Sequence, residues 1–298
     1  MSKILYLSCH EILEYDEVKL FHELGHEVFS PGAYVEPRNR GDDSLRPGIE
    51  GLEYNPDMVE MWNRHEAIFP NVNGKEYLDR SIDILNYFDH VVVMHYPTFI
   101  AKNWNVFKPF IESGKRVTWR TIGQSVISTE QQMTPYRGQG MEIVRYSPME
   151  ETLPHFCGSD ALIRFYKDPA EYGEWRGDNN RVITFAQSMK QRGAACSYDM
   201  FEAVTRPFPR HLYGPGNEGQ DWTSGKVPYD QLKEEMRANR CYFYTGTHPA
   251  SYTLNFMEAW MTGIPIVAIG PHWGNGKNFP GCNLYEVDSL IQNGANGS

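Results

Sequence analysis

The densest chemistry in this chain lies between residues 244 and 270, YTGTHPASYTLNFMEAWMTGIPIVAIG. Leu254, Met257 and Met261 recur at helical spacing, and Phe256, Ala259 and Trp260 make the other faces apolar, so a helix here is buried nearly all round. Glu258 sits in the middle of that stripe. An unpaired buried carboxylate is very costly, so it needs a partner. Two readings stand: an internal ion pair with an Arg or Lys, or a cleft at which Glu258 accepts hydrogen bonds from ligand hydroxyls. A second candidate is the basic turn SMKQRG at 188–193, where Lys190 and Arg192 follow an apolar run. Two cations beside a strand end suit an anionic group such as a phosphate. The plain alternative is a solvated turn.

Other polar residues stand at the ends of predicted strands: Ser8 with His10, His95, Arg120 with Thr121 and Gln124, and Ser147. Ligands of parallel sheets bind at the carboxyl ends of strands, so each is a candidate. His95 reads equally as a strand-end residue bonded to loop backbone. Arg120 reads as an anchor for a phosphate or acidic acceptor, or as a surface ion pair. His22-Glu23-Leu24-Gly25-His26 satisfies HExxH. That zinc chemistry needs both His on one face of a continuous helix. Gly25 interrupts it, so a helix end followed by a strand is expected instead.

The elements that must position these residues alternate along the chain. Residues 3–10, a helix over 16–23 and a strand over 26–31 make a βαβ opening with a right-handed crossover. The loop after the first strand has no GxGxxG, so no dinucleotide fingerprint is present. Residues 33–75 are polar and irregular, with a short helix expected over 59–68. The spacing then predicts a helix and strand within 79–97, a helix over 102–114 and strands over 115–123 and 141–148. The polar run 167–180 reads as a linker. A second alternation follows: strand and turn 181–193, helix 197–206, strand and turn 210–216, helix 228–240 and strand 241–245. A helix over 253–262, capped by Ser251 or Thr253 and stopped by Gly263, leads to a buried strand over 264–269. The fold class expected is therefore α/β, with an N-terminal domain at 1–166, the linker at 167–180 and a C-terminal domain at 181–298.

The phrase YTLNFMEAWMTGIPIVA is similar to the donor-site signature of GT-B glycosyltransferases, especially the retaining enzymes of family four. Their "EAMA-x-G-x-P-V-V" is matched by Glu258, Ala259, Gly263, Pro265 and Val267. The "LGHEV" at 24–28 is also a common phrase of those enzymes. The resemblance implies two Rossmann-like domains facing across a cleft, with the acceptor on the N-terminal side and a nucleotide-diphosphate sugar on the C-terminal side. It implies that Glu258 grips the donor ribose. It places Arg192 at the family's diphosphate Lys and Gln187 at its Arg, in "G-R-L-x-x-x-K-G", with Lys190 as a further cation. Thr253 and Leu254 would meet the same phosphates through helix N-terminal N–H groups. His95 falls where family members carry a His near the donor sugar.

Two departures qualify the match. The family pattern Glu-x7-Glu would put an acid at 250, where this chain has Ala250. His248 or Ser251 then becomes the candidate for the sugar contact. The family's C-terminal helix that crosses back to the first domain is apparently missing here. The catalytic candidates are thus His95, Arg192 and Lys190, and the donor-binding candidates Glu258, Thr253, Leu254, Ser251, His248 and Gln187. The expected reaction is transfer of a hexosyl group from a nucleotide-diphosphate sugar to an acceptor hydroxyl on a glycan, lipid-linked sugar or small molecule, retaining and without metal. A nucleotide-sugar epimerase of the same fold and a decayed sugar-nucleotide-binding or scaffold protein are the alternatives.

Composition narrows the field. A net charge of −10 gives no general attraction to polyanions, so a nucleic-acid partner is not expected. This bears on the phrase Thr253-Leu254-x-x-x-Glu258, which also resembles one in phage DNA glucosyltransferases. The five cysteines are widely spaced with no CxxC, which argues against a disulfide framework and a zinc site. No cofactor or metal is expected, and there is no Asp-x-Asp of the kind that holds manganese in GT-A enzymes. With no signal peptide or long apolar segment, a cytoplasmic protein is expected.

Overall fold

The computed structural model describes residues 1–8, 11–30, 49–64, 82–123, 125–245 and 254–268. The chain divides into two compact units, Met1–Tyr166 and Lys167–Ser298. The expectations at His10, Gln124, His248, Ala250, Ser251, Thr253 and the chain end lie outside the described residues.

The first unit opens with β1 (Lys3–Leu7), α1 (Glu11–Glu23) and β2 (Glu27–Phe29). α2 (Pro56–Arg64), α3 (Ile82–Tyr87), β3 (His90–Met94), α4 (Pro97–Lys102), α5 (Trp104–Glu112) and β4 (Arg116–Arg120) follow. α6 (Ile127–Arg137), β5 (Glu142–Arg145) and the short β6 (Ala161–Leu162) complete it. The strands form one sheet in the order β2-β1-β3-β4-β5-β6, with every pairing parallel. Register aligns Leu7, Val93, Trp119 and Ile143 in a row across four strands. All four are buried in one core, together with Phe29, Phe107 and Val117. Burying each such side chain stabilises the fold by roughly 1.5–3 kcal/mol.

Three differences from the sequence reading have physical causes. α1 begins at Glu11 rather than near Asp16 because its acids turn inward: Ser30 Oγ donates to Glu14 at 2.7 Å and Arg120 donates to Glu17. Acidic residues that face the core hide the helix's apolar stripe. The expected helix over 102–114 is α5; α4 precedes it without having been expected, and the two are parted at Asn103, whose amide donates to the Phe99 carbonyl at 2.9 Å. α6 was not foreseen, since its sequence is mostly polar and only Glu130 and Met133 are buried.

The second unit carries β7 (Asn179–Phe185), α7 (Met189–Arg192), α8 (Tyr198–Thr205), β8 (Arg210–Tyr213) and the short β9 (Thr223–Ser224). α9 (Tyr229–Ala238), β10 (Asn239–Tyr244), α10 (Leu254–Thr262) and β11 (Ile266–Ala268) follow. The order is β11-β10-β7-β8-β9, again parallel throughout. Ile183, Tyr242 and Ile266 pack in one core with Phe256 and Ala259 of α10. Leu212 and Phe243 pack in another with Phe201 of α8. Strands buried on both faces explain the apolar runs in the sequence. The polar stretch expected as a linker is bonded into this unit: Trp175 Nε1 donates to the Asn239 carbonyl at 2.7 Å, and Arg176 N to the Arg237 carbonyl at 2.8 Å.

Candidate functional site

In the second sheet the chain runs from β7 to β8 on one side and returns to β10 on the other. The order therefore reverses between β7 and β10, and open parallel sheets bind their ligands at the carboxyl ends of the strands at such a reversal. The basic turn lies there. Ser188 adopts a left-handed backbone, φ 45°, and enters the short α7. The loop after β8 holds this turn from below. Ala186 N donates to the Tyr213 carbonyl at 3.0 Å and Ser188 N to the Pro215 carbonyl at 2.8 Å. Asn217 Oδ1 accepts from Met189 N at 2.8 Å, while its Nδ2 donates to the Ala186 carbonyl at 2.5 Å and the Gly214 carbonyl at 2.9 Å. Gly214 has φ 132°, and a Cβ there would stand 2.2 Å from the Ala186 oxygen. Only glycine lets the two backbones approach so closely.

On this braced turn Gln187, Lys190 and Arg192 are exposed. Among the described residues neither Lys190 nor Arg192 forms an ion pair. Beyond α7 the chain reaches Ser197, a left-handed N-cap of α8 with φ 56° and 6 % exposure. Its hydroxyl has no hydrogen-bond partner among the described residues. Thr245, one residue past β10, donates its hydroxyl to the Cys196 carbonyl at 2.8 Å, tying the end of β10 to this corner. The basic turn, the α8 N-terminus and the end of β10 thus form one constellation. Ser197 and Thr245 were missed in the sequence because neither sits in a recognisable pattern.

Leu254 is the first described residue of α10 and is buried. Glu258 lies mid-helix at 1 % exposure. Lys167 Nζ donates to its Oε1 at 3.0 Å, and Tyr229 OH to the same oxygen at 3.3 Å. Asn255 Nδ2 donates to Oε2 at 2.9 Å. The internal ion pair envisaged from the sequence is present. A carboxylate has about four acceptor positions, so among the described residues three donors leave one position, on Oε2.

In the first unit the order reverses between β1 and β3. His95 stands one residue past β3 with φ 67°, a sparsely populated backbone for a non-glycine residue. Its N–H donates to the Arg120 carbonyl at 2.8 Å, and its carbonyl accepts from Trp119 Nε1 at 2.8 Å. Burial pushes its imidazole below the ordinary histidine range, so it is neutral near pH 7. Ser8, at the end of β1, points its hydroxyl to Met94 Sδ at 3.4 Å.

Arg120 is neither a surface ion pair nor a ligand anchor. It is 3 % exposed, and its Nε and Nη2 both donate to Glu17 Oε1, at 3.0 and 2.9 Å. Tyr6 OH donates to Glu17 Oε2 at 2.9 Å. Thr121 donates to Glu150 Oε2 at 2.8 Å, and Ser147 N donates to the same oxygen at 3.1 Å. The zinc pattern is likewise divided: His22 lies in the last turn of α1, while His26 lies past the turn and accepts from Ser2 N at 3.2 Å. Both line a cavity of about 80 Å³ beside edge strand β2, with Tyr54, Met58 and Tyr87. Among the described residues no helix is long and apolar enough to cross a membrane.

Two parallel α/β units, each with its own reversal of strand order, define the class: this is the GT-B fold. Two solved structures show the likeness over nearly the whole chain. HepE of Anabaena, solved with UDP and glucose, superposes with a TM-score of 0.58 at 12 % identity, covering 100 % of this chain and 85 % of that one. A glycosyltransferase of Rickettsia africae superposes with a TM-score of 0.54 at 10 % identity, covering 98 % and 82 %. No family model matches the sequence, and no curated protein sequence matches it.

Proposed function

We propose that the chain is a glycosyltransferase that takes a hexosyl group from a nucleotide-diphosphate sugar and passes it to an acceptor hydroxyl. The observation that supports this most is the exposed turn at the switch point of the second unit. It carries Lys190 and Arg192 exposed and, among the described residues, without carboxylate partners, in a chain of net charge −10. An acidic protein that keeps two uncompensated cations at a strand end has a place for an anion. In this reading the two cations, with the Ser197 hydroxyl, stabilise the diphosphate as it leaves. Stabilising developing charge is often the largest catalytic contribution. Glu258 accepts from a ribose hydroxyl through Oε2. Gln187, His248, Ser251, Thr253 and Leu254 are proposed to complete the donor contacts. His95, neutral at the reversal of the first sheet, is proposed to serve the reacting sugar. Retention of configuration and independence of metal belong to the same proposal, the latter because the cations take the role a metal would have.

UDP is the nucleotide to try first, because HepE, which shares the fold, holds UDP and glucose. Calorimetric titration of the full chain with UDP, GDP, dTDP and ADP is expected to give micromolar binding of one of them. Lys190→Ala and Arg192→Ala are each expected to weaken it by about tenfold, the magnitude of one charge-assisted hydrogen bond. If none of the four binds, or if both variants bind as the wild type does, the proposal fails. A second reading, a sugar-nucleotide-binding protein without transfer, is favoured by Ala250, which stands where the pattern Glu-x7-Glu carries an acid near the reacting sugar. Binding without release of free nucleoside diphosphate from any UDP-sugar and acceptor mixture would support it.

A further inference from the structure

We infer that Lys167 is a positioning residue for the donor site, acting through Glu258. The inference rests on the donor reading given above. Glu258 is the acid that this reading assigns to the ribose, and it is buried in an otherwise apolar helix. A buried carboxylate needs a compensating partner. Lys167 supplies it, as a cation at 3.0 Å, with both side chains nearly inaccessible, at 2 % and 1 %. Tyr229, the first residue of α9, shares Oε1 and is itself hydrogen-bonded to Tyr172. Lys167 and Tyr172 both belong to the polar run that the sequence suggested was a linker. Two residues of that run therefore converge on one oxygen of Glu258, directly or through Tyr229.

The consequence is a division of labour within one carboxylate. Oε1 is engaged by Lys167 and Tyr229. Among the described residues Oε2 has one donor, Asn255, from the preceding turn of the same helix, and retains an acceptor position. With Oε1 fixed, the carboxylate cannot rotate about its own axis, and Oε2 is held in one direction. Lys167 is also the first residue of the second unit, directly after Tyr166. The ion pair thus ties the entry of the chain into that unit to the helix proposed to read the donor. Among the described residues the charged and titratable groups facing Glu258 are Lys167, Tyr229 on α9 and Tyr242 on β10, whose hydroxyl Glu258 acts on electrostatically, and Lys167 is the one cation.

The test uses the full chain and whichever of UDP, GDP, dTDP and ADP binds the wild type. Binding is measured by calorimetry on wild type, Lys167→Met, Glu258→Gln and the double variant, with thermal melts to show that each is folded. In Lys167→Met, Oε1 loses its cation and the carboxylate its fixed direction, and affinity is expected to fall by about tenfold. The double variant is expected to bind no worse than Glu258→Gln alone. A lysine that only holds the fold would lower the melting temperature and weaken binding as much in the Glu258→Gln protein as in the wild type. Tyr229→Phe removes one hydroxyl without removing a charge and serves if Lys167→Met does not fold; a weaker affinity, with no further loss when combined with Glu258→Gln, is expected of it. Wild-type affinity in Lys167→Met, or in Tyr229→Phe where that variant must stand in, or an equal loss with and without Glu258→Gln, overturns the inference and leaves the donor reading intact. A folded wild type that binds none of the four overturns the donor reading and the inference with it.

Discussion

His90 opens β3 with its ring nitrogen 2.7 Å from Thr118 Oγ1. Burial first, and then the neighbouring Arg116 charge, pushes its imidazole down to about 4. In the unfolded chain the ordinary value of about 6.5 returns. The unfolded chain therefore takes up this proton first. The stability His90 contributes is present above about pH 6.5 and is lost as pH falls through about 4. The thermal midpoint is expected to drop across that window in the wild type, and His90→Gln is expected to remove that part of the drop; melts at pH 7, 5.5 and 4 on both proteins decide it. Glu130 behaves differently. Burial alone would raise its carboxyl, but two 2.7 Å bonds from Arg145 and one from Cys157 N hold it below the usual range. Its contribution is present above the ordinary carboxyl value and is lost as pH falls below that value. None of these pairings was legible in the sequence. Glu17 finds Arg120, 103 positions along the chain, and Lys167 finds Glu258, 91 positions along. Residue type announced that Glu258 needed a partner, but the identity of the partner depends on which strands lie side by side.

At the scale of elements, the turn after β7 is shaped by its contact with the loop after β8. Gly214 is the point of closest approach, and alanine there meets both a left-handed backbone and the Ala186 oxygen. Gly214→Ala is expected to cost about 1–3 kcal/mol or more in a urea melt and to weaken nucleotide binding, because the turn it supports carries Lys190 and Arg192. Gly138, at the end of α6, is the control: its φ is −63° and a Cβ there meets nothing closer than 3.6 Å. Gly138→Ala is expected to be neutral or to stabilise by up to about 1 kcal/mol. Equal losses at the two positions would count against this account. Elements with apolar runs, such as β3, β7 and α10, were readable because burial on every side leaves a continuous apolar stretch. α6 and the two-residue strands β6 and β9 were not. A helix whose buried positions include Glu130 shows no stripe, and a two-residue edge strand has no period to detect.

At the scale of the whole molecule, each unit has its own parallel sheet and its own cores. A ligand that binds one unit raises the midpoint of that unit's unfolding. Scanning calorimetry with and without the binding nucleotide is therefore expected to show two transitions, of which one moves, and Lys190→Ala is expected to abolish the movement. A single transition that shifts as a whole would refute this. The sequence by itself determined the α/β alternation, the two halves, the helix around Glu258 and the basic turn at 188–193, because strand and helix periodicities and turn residues are local properties of the chain. The tertiary structure alone decided which polar residues remain available. It folded Arg120 into a buried pair with Glu17, left Lys190 and Arg192 exposed, and set Lys167 against Glu258. Availability depends on long-range pairing across a sheet, where the desolvation of a charge is settled by whichever distant partner the topology delivers.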